Sequence, residues 1–178
     1  MVKRSRKPNR LKGYNYSRSN AYFITICVKD RLELLGKIDV MSDTFKGNEL
    51  CCSTSSQLPR MVLSPNGIIV DRRIKTIRRY YEYISIDNYV IMPNHIHMIV
   101  TIHNYSNKQE ISKHPANAAI PSLVATIKRF VHKECGFSFF QRSYHDHIIR
   151  SEREYERISQ YISANPLLWE TDCFNETH

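Results

Sequence analysis

The stretch YVIMPNHIHMIV, from Tyr89 to Val100, constrains the fold of this chain more than any other segment. It contains two apolar runs separated by a Pro-Asn pair, and the second run includes His95 and His97. Side chains in a strand alternate between the two faces of a sheet, so both imidazoles should lie on one face and Ile96 on the other. Two adjacent histidines can hold a divalent metal, but the same pattern also fits a half-exposed face that binds nothing.

Length and composition narrow the class of protein. The 178 residues suit one domain with a buried core, and 42% hydrophobic with 24% charged residues is typical of a globular chain. The net charge of +9 favours a polyanionic partner, nucleic acid before an anionic membrane surface. No apolar run reaches the roughly 18 residues of a membrane-spanning helix, and no apolar stretch follows the basic N-terminus as in a secretory signal. The five cysteines lack C-x-x-C spacing, which predicts reduced thiols in a cytoplasmic protein.

Residues 1–20 predict a basic arm ahead of the domain. This segment has many lysines and arginines, no acidic residue, and two interleaved tyrosines, Tyr14 and Tyr16. A flexible basic arm can neutralise phosphates and its tyrosines can stack on unpaired bases, although a solvated tail would have the same composition. The candidate phosphate contacts are Arg4, Arg6, Lys7 and Arg10.

The remaining residues, 21–178, alternate strand and helix patterns and predict a single domain. Polar segments near 41–60 and 103–118 are interpreted as loop insertions. A Ser-Pro pair predicts the start of the first helix, and Ser151 with Glu154 predicts a capping box for the last helix, which should end at Asn165 before Pro166. This order predicts an α+β fold with a ferredoxin-like antiparallel sheet and helices packed on one face. The predicted strands are 21–28, 34–40, 86–92, 95–102 and 145–149, and the predicted helices are 65–84, 121–135 and 151–165.

The last predicted helix carries two polar side chains of chemical interest. Tyr161 and Asn165 are four residues apart and therefore share a helix face. Tyr161 could be a tyrosine at the edge of the core, and Asn165 could be a helix cap. If this helix packs across the face that bears His95 and His97, Asn165 supplies a third metal ligand and Tyr161 points at the same place. Such a mixed nitrogen and oxygen site suits Mg²⁺ or Mn²⁺ when phosphate oxygens complete the shell.

A second histidine pair flanks an acidic residue in His145-Asp146-His147. The charged middle residue predicts an exposed strand rather than a second metal site, with His147 near DNA. Arg142 and Arg150 lie on either side and would suit backbone phosphates, although they could equally be ordinary surface charges.

Three stretches together resemble one protein family: RKPNRLKGYNYS, YVIMPNHIH and QRSYHDHIIRSEREYERISQYISANPLLWE. The His95-Ile96-His97 triplet resembles the His-hydrophobe-His motif of the HUH endonuclease superfamily. The YISANP segment, which begins at Tyr161, resembles the catalytic helix of its single-tyrosine transposases, and the REP-associated tyrosine transposases are the most similar branch. Related insertion-sequence transposases often have glutamine where this chain has Asn165.

The resemblance implies an enzyme that cleaves and rejoins single-stranded DNA with hairpin or repeat ends in the cytoplasmic nucleoid. By likeness, Tyr161 is the nucleophile that forms a 5′-phosphotyrosine. His95, His97 and Asn165 are by the same likeness the ligands of Mg²⁺ or Mn²⁺. The family has a ferredoxin-like fold and acts as a monomer or a homodimer, with the tyrosine and the histidines from one chain or from two.

Two other functions remain open from the sequence. One is a non-catalytic single-stranded nucleic-acid binding protein on a ferredoxin-like sheet, although such sheets usually expose aromatic residues where this chain has histidines. The other is a zinc hydrolase that uses His95, His97 and a further histidine such as His147, and that has no need of Tyr161.

Overall fold

The computed structural model describes residues 20–39, 58–103 and 119–175. The predicted arm with Arg4, Arg6, Lys7 and Arg10, and most of both predicted insertions, lie outside these ranges. Within them, no helix is long and apolar enough to cross a membrane. The strands are β1 (Ala21–Cys27), β2 (Gly36–Asp39), β3 (Arg60–Leu63), β4 (Ile84–Ile91), β5 (His95–Ile102) and β6 (His145–Ile149), and the α-helices are α1 (Pro65–Thr76), α2 (Ala119–Cys135) and α3 (Glu152–Ala164). Short 3₁₀ helices span Lys29–Arg31, Ile77–Arg79 and Asn165–Thr171.

The main sheet has four antiparallel strands in the order β4-β5-β1-β6. Apart from the β2-β3 hairpin, the chain order is strand, helix, two strands, helix, strand, which is the ferredoxin-like plan. The two central strands, β1 and β5, are paired so that Cys27 lies opposite His95 and Thr25 lies opposite His97. The α+β class and the antiparallel sheet are therefore confirmed.

Helices cover both faces of this sheet, whereas all of them were expected on one face. Ile96 and Met98 of β5 belong to a core with residues of α1 and α2. Ile99 packs on the other face against Ile158 and Ile162 of α3. The physical reason lies in β5, which is apolar on both faces beyond the histidines, and such a strand must be covered twice.

Strand β3 is the element that the sequence did not predict, whereas its partner β2 lies within the predicted strand 34–40. Residues up to 60 were interpreted as an insertion, but Arg60–Leu63 pairs with Gly36–Asp39. Four residues give too short an alternation to identify a strand by pattern alone. The first helix also ends earlier than predicted, at Thr76, because the later apolar positions of its stripe belong to a 3₁₀ turn, a loop and β4.

Capping side chains fix the ends of the helices. Ser64 begins α1, where its Oγ accepts the amide of Gly67 at 3.1 Å and donates to the Leu34 carbonyl at 2.7 Å. Ser151 begins α3 by accepting the amide of Glu154 at 3.2 Å. In a capping box, the Glu154 carboxylate would also accept the backbone amide of Ser151. Here it instead accepts the backbone amide of Arg150 and contacts the ring of His147.

The last helix ends where the sequence predicts, but the chain does not leave helical geometry there. Asn165 has φ −55° and ψ −41°, and a 3₁₀ helix continues to Thr171. Pro166 is tolerated because it occupies the first turn of that new helix, where an amide hydrogen is not needed. This continuation buries Asn165 and Trp169 and packs the C-terminal segment against the sheet.

Candidate active site

The two histidines of β5 lie side by side on the face covered by α3. His95 is 0% exposed and His97 is 2% exposed, and their ring centroids are 4.4 Å apart. They share this face because Ile96 between them is buried in the opposite core, with 0% exposure. The sequence prediction that both imidazoles face the same side is therefore confirmed, but they are fully buried rather than half-exposed.

A hydrogen bond from the His95 ring to the side-chain oxygen of Asn94 sets the orientation of His95. The Asn94 amide nitrogen donates to the carbonyls of Arg31 and Phe174 at 3.1 and 2.8 Å, so its oxygen faces the histidine. That oxygen lies 2.9 Å from His95 Nδ1, and it can only accept, so Nδ1 carries the hydrogen. The lone pair of His95 is then on Nε2, which is buried and has no hydrogen-bond partner.

His97 is held in a similar way by its neighbour on β1. Its Nδ1 lies 2.8 Å from Thr25 Oγ1, and its Nε2 lies 3.3 Å from the hydroxyl of Tyr161. A metal-binding histidine usually has its second nitrogen fixed by a polar group in this manner. Thr25 therefore holds the His97 ring with its Nε2 toward Tyr161.

Helix α3 brings Tyr161 and Asn165 to the same place. The helix is fastened to β4 by Asn88, whose amide donates to the carbonyl of Ser159 at 3.2 Å and to its hydroxyl at 2.9 Å. Tyr161 is 37% exposed, with its hydroxyl against His97. The condition stated from the sequence, that the last helix crosses the histidine face, is met within one chain.

Asn165 is completely buried, and its amide is oriented by an acidic residue. The amide nitrogen lies 3.2 Å from Asp172 Oδ2, whereas Oδ1 has no hydrogen-bond partner. His95 Nε2 and Asn165 Oδ1 are both buried without a hydrogen-bond partner, and each is an atom that can donate a lone pair to a cation. Nitrogen and oxygen donors of this type fit Mg²⁺ or Mn²⁺.

The imidazoles are neutral at ordinary pH. Burial, together with the nearby charge of Arg31, lowers the pKa of His95 to about 3. Burial and the neighbouring His95 lower the pKa of His97 to about 3. A neutral imidazole is the form that binds a metal. Burial and the charge of Asp172 raise the pKa of Tyr161, so the phenol carries its hydrogen in this state.

Aromatic rings surround the polar groups. Phe174 lies 4.4 Å from His95 between ring centroids, and Phe23 lies 5.1 Å from His97. Trp169 is buried, and its ring centroid lies 6.2 Å from that of His95. These rings exclude water from the site and thereby strengthen any charge interaction within it.

The sequence did not identify four of the side chains that support the site. These are Thr25, Asn88, Asp172 and Phe174. Each is separated in sequence from the residue that it supports or has no motif of its own. Asn94 was noticed only as part of a turn, although its position directly before His95 was a usable signal.

The other predicted residues lie outside this cluster. His147 is exposed, and its Nε2 is 2.7 Å from Glu154 Oε1. Arg150 follows the end of β6 that pairs with Ala21, far along β1 from the Cys27 end beside His95. Arg142 is exposed in the loop before β6, and the DNA contacts predicted for these three residues stay predictions.

A zinc site of the kind considered from the sequence does not form in the described part of the chain. Across residues 20–39, 58–103 and 119–175, no three His, Cys, Asp or Glu side chains are grouped so as to hold a metal. His147 is engaged by Glu154 rather than by the two histidines of β5. The candidate set of ligands therefore depends on the amide of Asn165.

Comparison with solved structures shows which known fold the chain shares. A solved REP-associated tyrosine transposase, bound to a REP hairpin, matches with a TM-score of 0.55 and 20% sequence identity, over 88% of this chain and 72% of that one. The chain therefore has the fold of a REP-associated tyrosine transposase, the branch that its motifs resemble. The resemblance stated from the sequence is confirmed at the level of the fold.

Comparison of the sequence gives the family. The chain is 31% identical over 182 residues to an uncharacterized protein of Haemophilus influenzae, covering 94% of this chain and 91% of that protein. At this identity and coverage the chain belongs to the same family as that protein. No family model matches the chain.

Proposed function

We propose that this protein is a divalent-metal-dependent DNA transposase that cleaves and rejoins single-stranded, hairpin-containing DNA through a covalent bond to Tyr161. The observation that carries this proposal is the position of the Tyr161 hydroxyl, 3.3 Å from His97 Nε2. This contact places the phenol oxygen beside the two buried histidines that are the proposed metal ligands. The REP hairpin bound to the solved transposase of the same fold supports DNA as the partner.

The ligands of the proposed metal are His95, His97 and Asn165, through Nε2 of each histidine and Oδ1 of the asparagine. A bound Mg²⁺ or Mn²⁺ would withdraw charge from a non-bridging phosphate oxygen and would favour ionisation of a nearby phenol. The protein contributes rigid placement, because Asn94 and Thr25 orient the two rings and Asn88 fastens α3 to the sheet. Such placement lowers the barrier by removing the cost of bringing the groups together.

The proposed reaction is a displacement at phosphorus. The Tyr161 oxygen forms a bond to phosphorus as the bond to the 3′ oxygen breaks, and the released 3′ oxygen takes up a proton. The 5′ strand end is then held as a phosphotyrosine, which conserves the ester bond. Attack by a 3′-hydroxyl on this phosphotyrosine rejoins the strand and returns the proton to Tyr161, so no nucleotide triphosphate is consumed.

Substitution of the tyrosine tests the nucleophile. Tyr161→Phe should abolish the covalent adduct between protein and a hairpin-containing single strand, measured by the shift of a labelled oligonucleotide in a denaturing gel. Tyr155→Phe is the matched control, because Tyr155 is on the same helix and its hydroxyl is bonded to Asp87 instead. An adduct that persists in Tyr161→Phe would show that the nucleophile is another residue.

Removal of a proposed ligand tests the metal. His95→Ala should abolish cleavage that depends on Mg²⁺ or Mn²⁺ and leave binding of the uncleaved strand largely intact, measured by fluorescence anisotropy. His147→Ala should retain cleavage if the zinc hydrolase is wrong, because that hypothesis alone requires His147. A wild-type protein that binds single strands equally with and without divalent metal, and never cleaves them, would instead be a nucleic-acid binding module.

A further inference from the structure

Asp172 lies behind the proposed metal ligand Asn165 and has both carboxylate oxygens engaged. Oδ2 accepts the amide nitrogen of Asn165 at 3.2 Å, and Oδ1 accepts the backbone amide of Phe174 at 2.8 Å. Its own backbone amide donates to the Trp169 carbonyl at 3.1 Å, which closes the C-terminal 3₁₀ helix. The side chain is almost completely buried, with 9% exposure.

This arrangement determines which end of the Asn165 amide faces the histidines. An ionised carboxylate can only accept hydrogen bonds, so it selects the NH₂ end of the amide and leaves the oxygen pointing the other way. The Asn165 oxygen is buried and has no hydrogen-bond partner, which is the expected state of an atom directed into a site that a cation completes. With the opposite orientation, the site would present a donor that repels a cation.

We propose that Asp172 is a positioning residue, which turns the Asn165 amide so that its oxygen, and not its nitrogen, faces His95 and His97. The proposal rests on the proposed function, because it assumes that these three residues bind a divalent cation. It adds to that function a fourth side chain that no motif identified. Outer-shell groups of this kind typically change metal affinity by roughly 10- to 100-fold when they are substituted.

The isosteric substitution Asp172→Asn gives the sharpest test. The backbone amide of Phe174 requires an acceptor, so the new side chain should place its oxygen there and turn its NH₂ group toward Asn165. Asn165 would then have to present its own oxygen to that NH₂ group and its nitrogen to the histidines. We expect the affinity for Mn²⁺, measured by isothermal titration calorimetry on metal-free protein, to fall by roughly 10- to 100-fold.

A charge-conserving exchange should restore binding. In the double variant Asn165→Asp with Asp172→Asn, the new carboxylate accepts from the amide of the new asparagine and still offers an oxygen to the site. Glu170→Gln is the control for loss of a negative charge, because Glu170 is exposed two residues away. It should bind Mn²⁺ as the wild type does, and thermal denaturation should show that all of these variants remain folded.

The outcomes separate this proposal from the proposed function. If the wild-type protein binds no Mn²⁺, the metal site itself is wrong. If the wild type binds and Asp172→Asn binds equally well, the positioning role is overturned. Weak binding by both the single variant and the exchanged pair would show that the charge at position 172, and not the orientation of the amide, matters. As a second measurement, Asp172→Asn should have no further effect on Mn²⁺ affinity in an Asn165→Ala background.

Discussion

At the scale of single residues, the site depends on polar groups that the fold has removed from water. Three polar residues, His95, His97 and Asn165, are nearly or completely buried. The aromatic rings around them offer few hydrogen-bond partners. Burial of polar atoms without partners costs free energy, typically about 1–3 kcal/mol for each group. A divalent cation bound to these atoms would offset this cost, because it would supply the missing partner. A bound cation should therefore stabilise the folded state.

The buried histidines also make stability depend on pH. Their pKa values of about 3 in the folded protein lie below the ordinary value of 6.5, so the unfolded chain binds up to two more protons between these limits. The contribution of the two neutral histidines to the free energy of unfolding is therefore fully present above pH 6.5 and is lost as the pH falls toward 3. Each extra proton contributes about 1.4 kcal/mol per pH unit within this window.

Urea denaturation of metal-free protein between pH 7 and pH 5 would measure this dependence. The free energy of unfolding should fall more steeply in the wild type than in His97→Asn, which lacks one of the two groups. Equal slopes in wild type and His97→Asn would contradict the neutral, buried state of His97.

At the scale of elements, two contacts position the helices relative to the sheet. Asn88 follows an irregularity in the pairing of β4 with β5, and it fastens α3 through Ser159. On the other side, the start of α1 approaches Leu35, the residue before β2, so closely that a Cβ at Gly67 would lie 2.1 Å from the Leu35 carbonyl oxygen. Glycine is required at this point by the lack of space for a Cβ and not by a positive φ.

Substitution of that glycine should be costly. Gly67→Ala should lower the free energy of unfolding by about 1–3 kcal/mol, because the backbone of β2 or α1 must move to admit the methyl group. Gly136→Ala is the matched control: its φ of +81° is strained for alanine, but the added carbon meets nothing within 4 Å. Chemical denaturation should show the larger loss for Gly67→Ala, and a loss no greater than that of Gly136→Ala would contradict the close contact.

At the scale of the whole molecule, the fold assembles the candidate site within one chain. The Tyr161 hydroxyl and His97 Nε2 are 3.3 Å apart although the residues are 64 positions apart in sequence. The helix that carries Tyr161 packs on its own sheet through Ile158 and Ile162. A tyrosine from a second chain is therefore not needed to complete the constellation.

Mixing of two inactive variants tests this arrangement. His95→Ala and Tyr161→Phe should each be inactive, and an equimolar mixture should form no covalent adduct, because neither chain contains a complete site. In a shared site, one chain in the mixture could combine an intact tyrosine with intact histidines of the other. Recovery of a substantial fraction of wild-type adduct would therefore show that the site is formed between two chains.

The sequence by itself determined the elements and the chemistry of their side chains. Local signals were sufficient for this: alternation in β5 placed both histidines on one face, Ser64 and Ser151 marked helix starts, and spacing placed Tyr161 and Asn165 on one face of α3. These features depend on residues a few positions apart, so their physics can be read without the fold. Strand β3, which pairs with the predicted strand β2, was missed because four residues give too weak a pattern.

Only the tertiary structure decided which residues meet. It placed α3 on the opposite face of the sheet from α1 and α2, and this placement brings Tyr161 to His97. It also supplied Asp172, whose carboxylate orients Asn165. These contacts arise because helices pack on both faces of the sheet. Hydrophobic burial drives that packing but is not directional. The sequence pattern alone therefore cannot specify which polar groups the packing brings together.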